Sequence, residues 1–407
     1  MSSRRLALPL ALLALAAVAP AQILAIQHKP RASAGASSAR APSEDAVRAF
    51  ALSFEDALRR GAREEAFALF DHEALLERAS KGVPATVAVR RHFLQGAHAA
   101  WNGDAGPVGA ALGAAARGGH VRWLASGERD GERSVTFRIV RSDAAAPEYL
   151  ELLLLRRGER GATCADVISS TDGVSHARVL RRWLLALVAD AGRKLSERIA
   201  GEDRAFALAG RTFEAIDLSF EAGRCADALA AWSTLDPALA RDPSVVLTRL
   251  RAALAAGSAT FDAALAEARA TGGVQTPVEL LAVDVATATN RPEHALLALD
   301  RLASAGPADP FLDALRGNVL RELGRGDAAR AACRRALEAD PELEEGWWTL
   351  LALEIESRRH EDALSVIRAM DARFEIDWRA VAQSPAYRAF LDSKPGARWR
   401  ATVATKR

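Results

Sequence analysis

The chain has 407 residues, half of them apolar, so it exceeds one typical domain and can bury at least one sizeable core. It carries 54 Lys and Arg against 52 Asp and Glu. Arg4 and Arg5 lie in an N-terminal segment without acids, which leaves 52 residues of each sign in the rest of the chain. A nucleic-acid-binding protein would show a basic surplus. We therefore expect two folded units and no nucleic-acid partner.

Residues 1–21 have the pattern of a secretory signal peptide. Two arginines precede an apolar run from Leu6 to Val18, and the small residues of 19–21 follow it. That run is shorter than the ~20 residues that a membrane-spanning helix needs. We expect cleavage between Ala21 and Gln22, a periplasmic or secreted protein, and no integral membrane segment after cleavage.

Residues 22–42 are rich in Pro, Ala, Ser and Gly, a composition that predicts a disordered linker. The three cysteines, Cys164, Cys225 and Cys333, are far apart, and no C-x-x-C pattern occurs. Neither a disulfide framework nor a metal site is indicated. We expect these cysteines to be small buried hydrophobic residues, and we expect no cofactor.

The segment 43–199 combines two hydrophobic periods. Helical spacing over 43–60, 63–80 and 86–102 gives way to alternation in four stretches, around Val121–Ala125, Val135–Ile139, Tyr149–Leu155 and Ala165–Ser169. Period-2 alternation is typical of strands, and Asp130-Gly131 and the Gly-rich 157–161 suit tight hairpins. A helical pattern resumes from Val174 to Ile199. The sequence therefore predicts an α+β domain with an antiparallel four-stranded meander.

This order of elements resembles a cystatin-like or nuclear-transport-factor-2-like cone, although no motif supports the resemblance. Such cones often hold a pocket between sheet and helices, and some perform acid/base chemistry there. If this one does, Asp71, His72 and Tyr149 are the candidates. The chain has no G-x-S-x-G, H-E-x-x-H or phosphate-binding glycine loop, and we expect the histidines to be structural or solvated. No catalytic residue is assigned, and the sequence favours a protein that is not an enzyme.

The C-terminal half repeats at an interval of about 34 residues. Ala295, Ala329 and Ala363 follow one another at this repeat interval, Pro307 and Pro341 are separated by it, and Ala228 lies about two intervals before Ala295. Periods of this size indicate stacked structural repeats. Small residues on one helix face allow two helix backbones to approach closely.

These residues resemble the tetratricopeptide repeat family, whose pattern places Gly and Tyr on one helix, Ala and Phe on the next, and Pro after it. The matching positions are Gly317 and Leu320, Ala329 and Cys333, Pro341, Trp347 and Leu350, and Ala363 and Ile367. The resemblance covers about 209–377 and implies an all-helical solenoid. Arg316 and Glu354 depart from apolar positions of the pattern.

The residues after the last repeat, 378–407, are predicted to form a capping helix and tail. They include Trp378, Tyr387, Phe390 and Trp399, and Ser384-Pro385 is a helix-start signal. A solenoid end exposes an apolar face that needs covering. The alternative is an aromatic platform for a ligand.

The repeats lead us to expect an exported, bacterial-type scaffold that binds a peptide or protein through the concave face of the solenoid. Counted from the matched positions, the groove residues are Asp284, Asn318, Arg321 and Trp348. One alternative is a small-ligand-binding or enzymatic cone domain with the repeats as an accessory. Another is a structural role in envelope assembly without a specific small ligand.

Overall fold

A computed structural model describes residues 41–103, 106–117, 119–141, 144–158, 161–192, 197–271, 275–305 and 308–405. These residues are mostly helical and include one four-stranded antiparallel sheet. The expected α+β segment and the helical remainder are therefore confirmed. The predicted signal peptide 1–21, most of the linker 22–42, and Pro307 lie outside the described residues.

The chain divides into two compact units between Val278 and Glu279. The first contains α1 (Glu44–Arg60), α2 (Arg63–Ala68), α3 (His72–Ser80), α4 (Val87–Asn102), α5 (Pro107–Ala116), α6 (His176–Asp190), α7 (Gly201–Glu221), α8 (Cys225–Trp232), α9 (Pro243–Ala256) and α10 (Ser258–Thr271). Its strands are β1 (His120–Arg129), β2 (Glu132–Val140), β3 (Glu148–Arg157) and β4 (Gly161–Ser169).

The division falls within α11 (Gln275–Ala288). The second unit continues with α12 (Pro292–Ala305), α13 (Pro310–Glu322), α14 (Gly326–Ala339), α15 (Glu344–Glu356), α16 (His360–Asp371), α17 (Trp378–Ala382), α18 (Arg388–Leu391) and α19 (Lys394–Thr405). Within the described part of the chain, no helix is both long and apolar enough to cross a membrane.

The sheet is the meander that the alternation predicts, with strand order β1-β2-β3-β4. Asp130 and Gly131 both have positive φ, 52° and 80°, as a two-residue type I′ hairpin requires. Phe137 pairs with Trp123 on one side and Leu150 on the other. One sheet face, including Phe137 and Leu150, joins a core with α1, where Phe54 meets Phe137 edge to face at 5.1 Å.

Two helices of this segment differ from the expectation. The predicted helix 63–80 is broken at Leu69–Asp71, because Phe70 forms a parallel bridge with Cys164 and Asp71 caps α3. The predicted helix 174–199 ends at Asp190, and Gly192 follows with a φ of 138°. Helix α5 was not predicted, since its sequence of Ala and Gly after Pro107 has little periodicity.

The first unit extends beyond the change of pattern at 199–209. Helices α7 to α9 contribute Ile216, Trp232 and Val245 to the same hydrophobic cluster as Phe54. Arg182 of α6 reaches the buried Asp242 at the start of α9. The end of the mixed α+β segment and the division between compact units therefore lie at different positions.

Four helix pairs are joined by turns of the same backbone geometry. The residues Gly223, Asn290, Gly324 and Arg358 all have positive φ, between 54° and 72°. The last three follow one another at the repeat interval, and about two intervals separate Gly223 from Asn290. Each is followed by an arginine whose backbone N–H donates to the carbonyl five residues earlier, at 2.7–2.9 Å; these are Arg224, Arg291, Arg325 and Arg359. This hydrogen bond, together with the positive φ of the residue before it, is the Schellman motif that ends a helix.

The small residues of the repeat pattern lie where helices cross. Ala329 and Cys333 are fully buried, and a Cβ on Gly317 would lie 2.4 Å from the Cys333 Sγ. Helices α13 and α14 can therefore approach closely only because position 317 has no side chain. Ala228, Ala295 and Ala363 are also buried.

The two departures from the repeat pattern are explained by ion pairs. Glu354 of α15 is buried and accepts from Arg330 of α14 at 2.9 Å. Arg316 pairs with the Asp300 carboxylate at 2.6 Å. Charged residues are tolerated at these positions because the neighbouring helix supplies the opposite charge.

The C-terminal segment contains α17, a short 3-10 turn at Pro385–Tyr387, α18 and α19. A capping helix and a tail were expected for 378–407, and the described part of this segment forms three helices, of which α19 is the longest. Ser384 precedes the 3-10 turn, as its helix-start signal suggests. Phe390 and Trp399 are buried and lie 5.7 Å apart.

Candidate functional site

The N-terminal candidate Asp71 has a structural partner. Its carboxylate accepts from the backbone N–H of Ala74 at 2.9 Å and so caps α3. Its own backbone N–H donates to the Cys164 carbonyl at 2.7 Å. Asp71 therefore fixes the start of a helix against β4.

His72 belongs to an aromatic cluster that the sequence did not predict. Its ring lies 4.3 Å from the His98 ring and 5.6 Å from Trp101, and Trp101 lies 5.4 Å from His176. Burial, with His98 and His176 nearby, lowers the pKa of His72 to about 4. Burial also lowers the pKa of His176 to about 4. At neutral pH both rings are uncharged and are therefore poor proton acceptors.

Tyr149 lies away from this cluster. It is buried on β3 and pairs with Arg138 of β2. Side chains alternate along a strand, and its neighbour Leu150 faces the hydrophobic core that includes Trp101. Tyr149 therefore points to the opposite face, and the three candidates do not form one pocket. Among the described residues, no group of His, Cys, Asp and Glu could hold a metal ion.

In the helical region, Asn318 and Arg321 form a connected polar group. The Arg321 guanidinium donates to the Asn318 amide oxygen at 3.3 Å and to the Glu356 carboxylate at 2.7 Å. The Arg321–Glu356 ion pair joins α13 to α15, which are the first helices of successive hairpins. Sequence reasoning missed Glu356, whose only signal is its place 35 residues after Arg321, close to the repeat interval.

Trp348 is held by a different set of contacts. Its indole N–H donates to Glu344 at 2.7 Å, and its ring lies 5.9 Å from Trp378. Trp348 is half-buried, so part of the indole is available at the surface. Asp284 is half-buried on α11, the first helix of the hairpin before α13. The predicted groove residues thus lie on three first helices, and a direct hydrogen bond joins Asn318 to Arg321.

The Arg321–Glu356 pair suits exchange with a ligand. The Arg321 side chain is 28 % exposed and that of Glu356 is 55 % exposed. Ion pairs with this much water around them contribute only about 0–1 kcal/mol. A ligand carboxylate or carbonyl can therefore replace Glu356 on the guanidinium with little loss of stability.

The amide of Asn318 and the indole of Trp348 extend the chemistry of this surface. An amide can both donate to and accept from a peptide backbone, and a partly exposed indole offers an apolar face.

Comparison with known proteins identifies no relative that would name a ligand: the chain matches no protein-family model, no curated protein and no solved structure.

Proposed function

We propose that the helical region forms tetratricopeptide-like repeats and that the exported protein is a scaffold binding an extended segment of a partner protein. The observation that carries the proposal is the repeated turn at Gly223, Asn290, Gly324 and Arg358, whose positions differ by one or about two repeat intervals. Similar turns give each helical hairpin the same internal geometry, and their fixed interval makes the hairpins recur along the chain. Stacked hairpins form an elongated surface from their first helices.

The proposed binding surface consists of Asp284, Asn318, Arg321 and Trp348. Asn318 would bond the backbone of the bound segment, and Arg321 would exchange Glu356 for an acidic side chain or carbonyl. Trp348, fixed by Glu344, would stack on an apolar side chain. A small-ligand or enzymatic cone has less support, because Asp71 caps a helix and Tyr149 lies on the other sheet face.

Selection from a displayed random-peptide library on the chain lacking residues 1–21 tests the proposal. We expect a shared sequence to be enriched, with affinity falling up to about fivefold in Arg321→Ala, since an ion pair on a guanidinium this exposed contributes at most about 1 kcal/mol. Trp348→Ala should also weaken binding. Arg334→Ala is the matched control, because Arg334 is exposed on α14, the second helix of the same hairpin. No enriched sequence, or equal loss in the control, would contradict the proposal.

Export is a separate part of the proposal and rests on the leader sequence alone. Sequencing the N-terminus of protein purified from its native cells should give Gln22 as the first residue. A soluble cytoplasmic protein beginning at Met1 would refute export and would leave the binding proposal to its own test.

A further inference from the structure

A cavity of about 490 Å³ lies in the second unit, lined by residues of α16, α17 and α19. This volume is within the range of small-molecule sites, about 300–1,000 Å³. The cavity is lined by α16 and by part of the segment predicted to cap the helices, and it contains none of the proposed groove residues. One ring contact links the two sites, because Trp378 of the cavity lining lies 5.9 Å from Trp348 of the peptide-binding surface.

The cavity has an apolar wall. Trp378 and Trp399 both line it and meet edge to face, with ring centroids 5.7 Å apart. Leu364 and Ile367 of α16 add aliphatic surface. Two indoles and two branched side chains favour a ligand with an aromatic or branched aliphatic body.

The hydrogen bonds around the cavity leave a partner for an anion rather than for a cation. Three arginines line it, Arg368, Arg379 and Arg398, with two carboxylates, Asp371 and Asp377, and a third carboxylate, Glu361, pairs with Arg398. The Asp371 carboxylate already accepts from the Trp378 indole N–H at 3.1 Å. The Asp377 carboxylate already accepts from the backbone N–H groups of Arg379 and Ala380, at 3.0 and 3.3 Å. Neither carboxylate therefore needs a ligand cation to satisfy it.

Arg368 is the guanidinium best placed to receive the anion. It is exposed, and within the described ranges its side chain makes no hydrogen bond or ion pair, whereas Arg398 donates to Glu361 at 2.6 Å. A planar guanidinium matches a carboxylate in a bidentate pair. The two aspartates on the rim would repel a ligand of higher negative charge, so a monoanion fits best.

We infer that this cavity binds a carboxylate attached to an aromatic or branched aliphatic body, with Arg368 pairing with the carboxylate and Trp378 and Trp399 contacting the body. A free organic acid and the C-terminal residue of a peptide share this chemistry. The open question between them is how much chain the site accommodates beyond the carboxylate-bearing residue.

Calorimetric titration of the chain lacking residues 1–21 separates these sources. The probes are 3-phenylpropanoate and the peptide N-acetyl-Ala-Ala-Phe with a free C-terminus, each compared with its uncharged amide. We expect a dissociation constant below about 1 mM for at least one acid, and at least about tenfold weaker binding of its amide. Preference for the peptide acid would assign the site to a chain terminus, and preference for the free acid would assign it to a small molecule.

Substitution of Arg368 tests the assignment of the anion. In Arg368→Gln, the preference for acid over amide should fall about tenfold, while Arg388→Gln, an exposed arginine outside the lining, should keep it. Independently of any variant, the indole N–H resonances of Trp378 and Trp399 in the wild-type protein should shift on titration. Absence of binding below about 1 mM, equal binding of acid and amide, or an unchanged preference in Arg368→Gln would overturn the inference.

Discussion

The α+β segment and the helical hairpins of the second unit are stabilised by contacts of different range. In the α+β segment, Cys164 of β4 holds Leu69 and Asp71 through backbone hydrogen bonds, although most of the segment separates them in the sequence. In the hairpins, Ala329 and Cys333 pack against Gly317 of the helix just before theirs. Distant contacts leave no fixed interval in a sequence, while contacts between the two helices of a hairpin recur from one hairpin to the next and can be recognised by that interval.

The two regions also bury polar side chains in different ways. In the α+β segment, the half-buried His72 and the buried His176 are neutral rings, and burial lowers the pKa of each to about 4. In the hairpins, Glu354 is buried with its charge and is paired with Arg330. The first arrangement makes stability depend on pH, and the second makes it depend on keeping both partners. Substitutions in each region can test this contrast.

The largest effect is expected from breaking the buried pair. Glu354→Ala leaves the buried guanidinium of Arg330 to its contacts with Asp327 and Ser357. Removing one member of a buried ion pair costs about 3–5 kcal/mol. We expect a loss near the lower end of that range, because those two contacts remain. Hydrogen exchange over α13 to α16 measures it locally.

The double variant Arg330→Met, Glu354→Leu is the control. Replacing a buried pair by apolar residues of similar volume is often neutral or stabilising, so the double variant should recover most of the loss. A double variant as unstable as Glu354→Ala would mean that packing at position 354, rather than the unpaired charge, sets the cost.

The second effect is a pH dependence in the α+β segment. His176 has a pKa of about 4 in the folded chain and near 6.5 when unfolded. Its stabilising contribution is complete above pH 6.5 and is lost as pH falls toward 4, because only the unfolded chain gains a proton in that window. Between pH 7 and 4.5 this amounts to about 2–3 kcal/mol.

His176→Gln isolates the contribution of that ring. Over the same pH range its unfolding free energy, from urea denaturation, should fall by about 2–3 kcal/mol less than that of the wild type. His72 is retained in both proteins, but His176 is one of the groups that lower the pKa of His72, so the difference also contains a small change in the His72 titration. Parallel pH profiles for the two proteins would show that the His176 ring is not held neutral.

These examples indicate what the sequence could predict. Alternation with Asp130-Gly131 predicted the meander, since strand period and hairpin turn are local signals. The alanine interval predicted the buried crossing residues around Ala329. The gathering of His72, His98 and His176 could not be predicted, because these residues come from three helices and no period relates them.

The candidate surface shows the same limit. Counting along the helices placed Asn318 and Arg321 on one groove surface; in the structure both side chains are half-buried and hydrogen-bonded to each other. Counting along the helices could not predict that the Glu356 carboxylate accepts a hydrogen bond from the Arg321 guanidinium, because this contact depends on the distance between two helices. The pairing of Glu354 with Arg330 was likewise unpredicted, and it appeared in the sequence only as a departure from the repeat pattern.

A third effect tests the close helix crossing. Ala329 is fully buried, and its neighbour Ala328 is exposed on the same helix. Overpacking a close crossing costs about 1–3 kcal/mol, so Ala329→Leu should destabilise the second unit by that amount. Ala328→Leu should change stability by less than about 0.5 kcal/mol. Hydrogen exchange over residues 310–377, measured at increasing denaturant concentration, separates the two variants. Equal stability of the two variants would place the helix crossing elsewhere.

The smallest effect concerns the turns that recur at the repeat interval. Gly324 and Arg358 occupy equivalent turns, with φ of 70° and 56°, but only glycine adopts this left-handed conformation without a steric cost. Arg358→Gly should therefore stabilise the α15–α16 hairpin by about 0.5–1 kcal/mol, the steric gain being partly offset by the greater freedom of glycine in the unfolded chain. Arg334→Gly makes the same change inside α14, where it should cost about 1 kcal/mol. Opposite signs for these two variants, measured by hydrogen exchange of α13 to α16, would show that a turn conformation and not residue composition is responsible. A loss of stability in Arg358→Gly would mean that position 358 is not a left-handed turn, and the equivalence of the two hairpins would no longer hold.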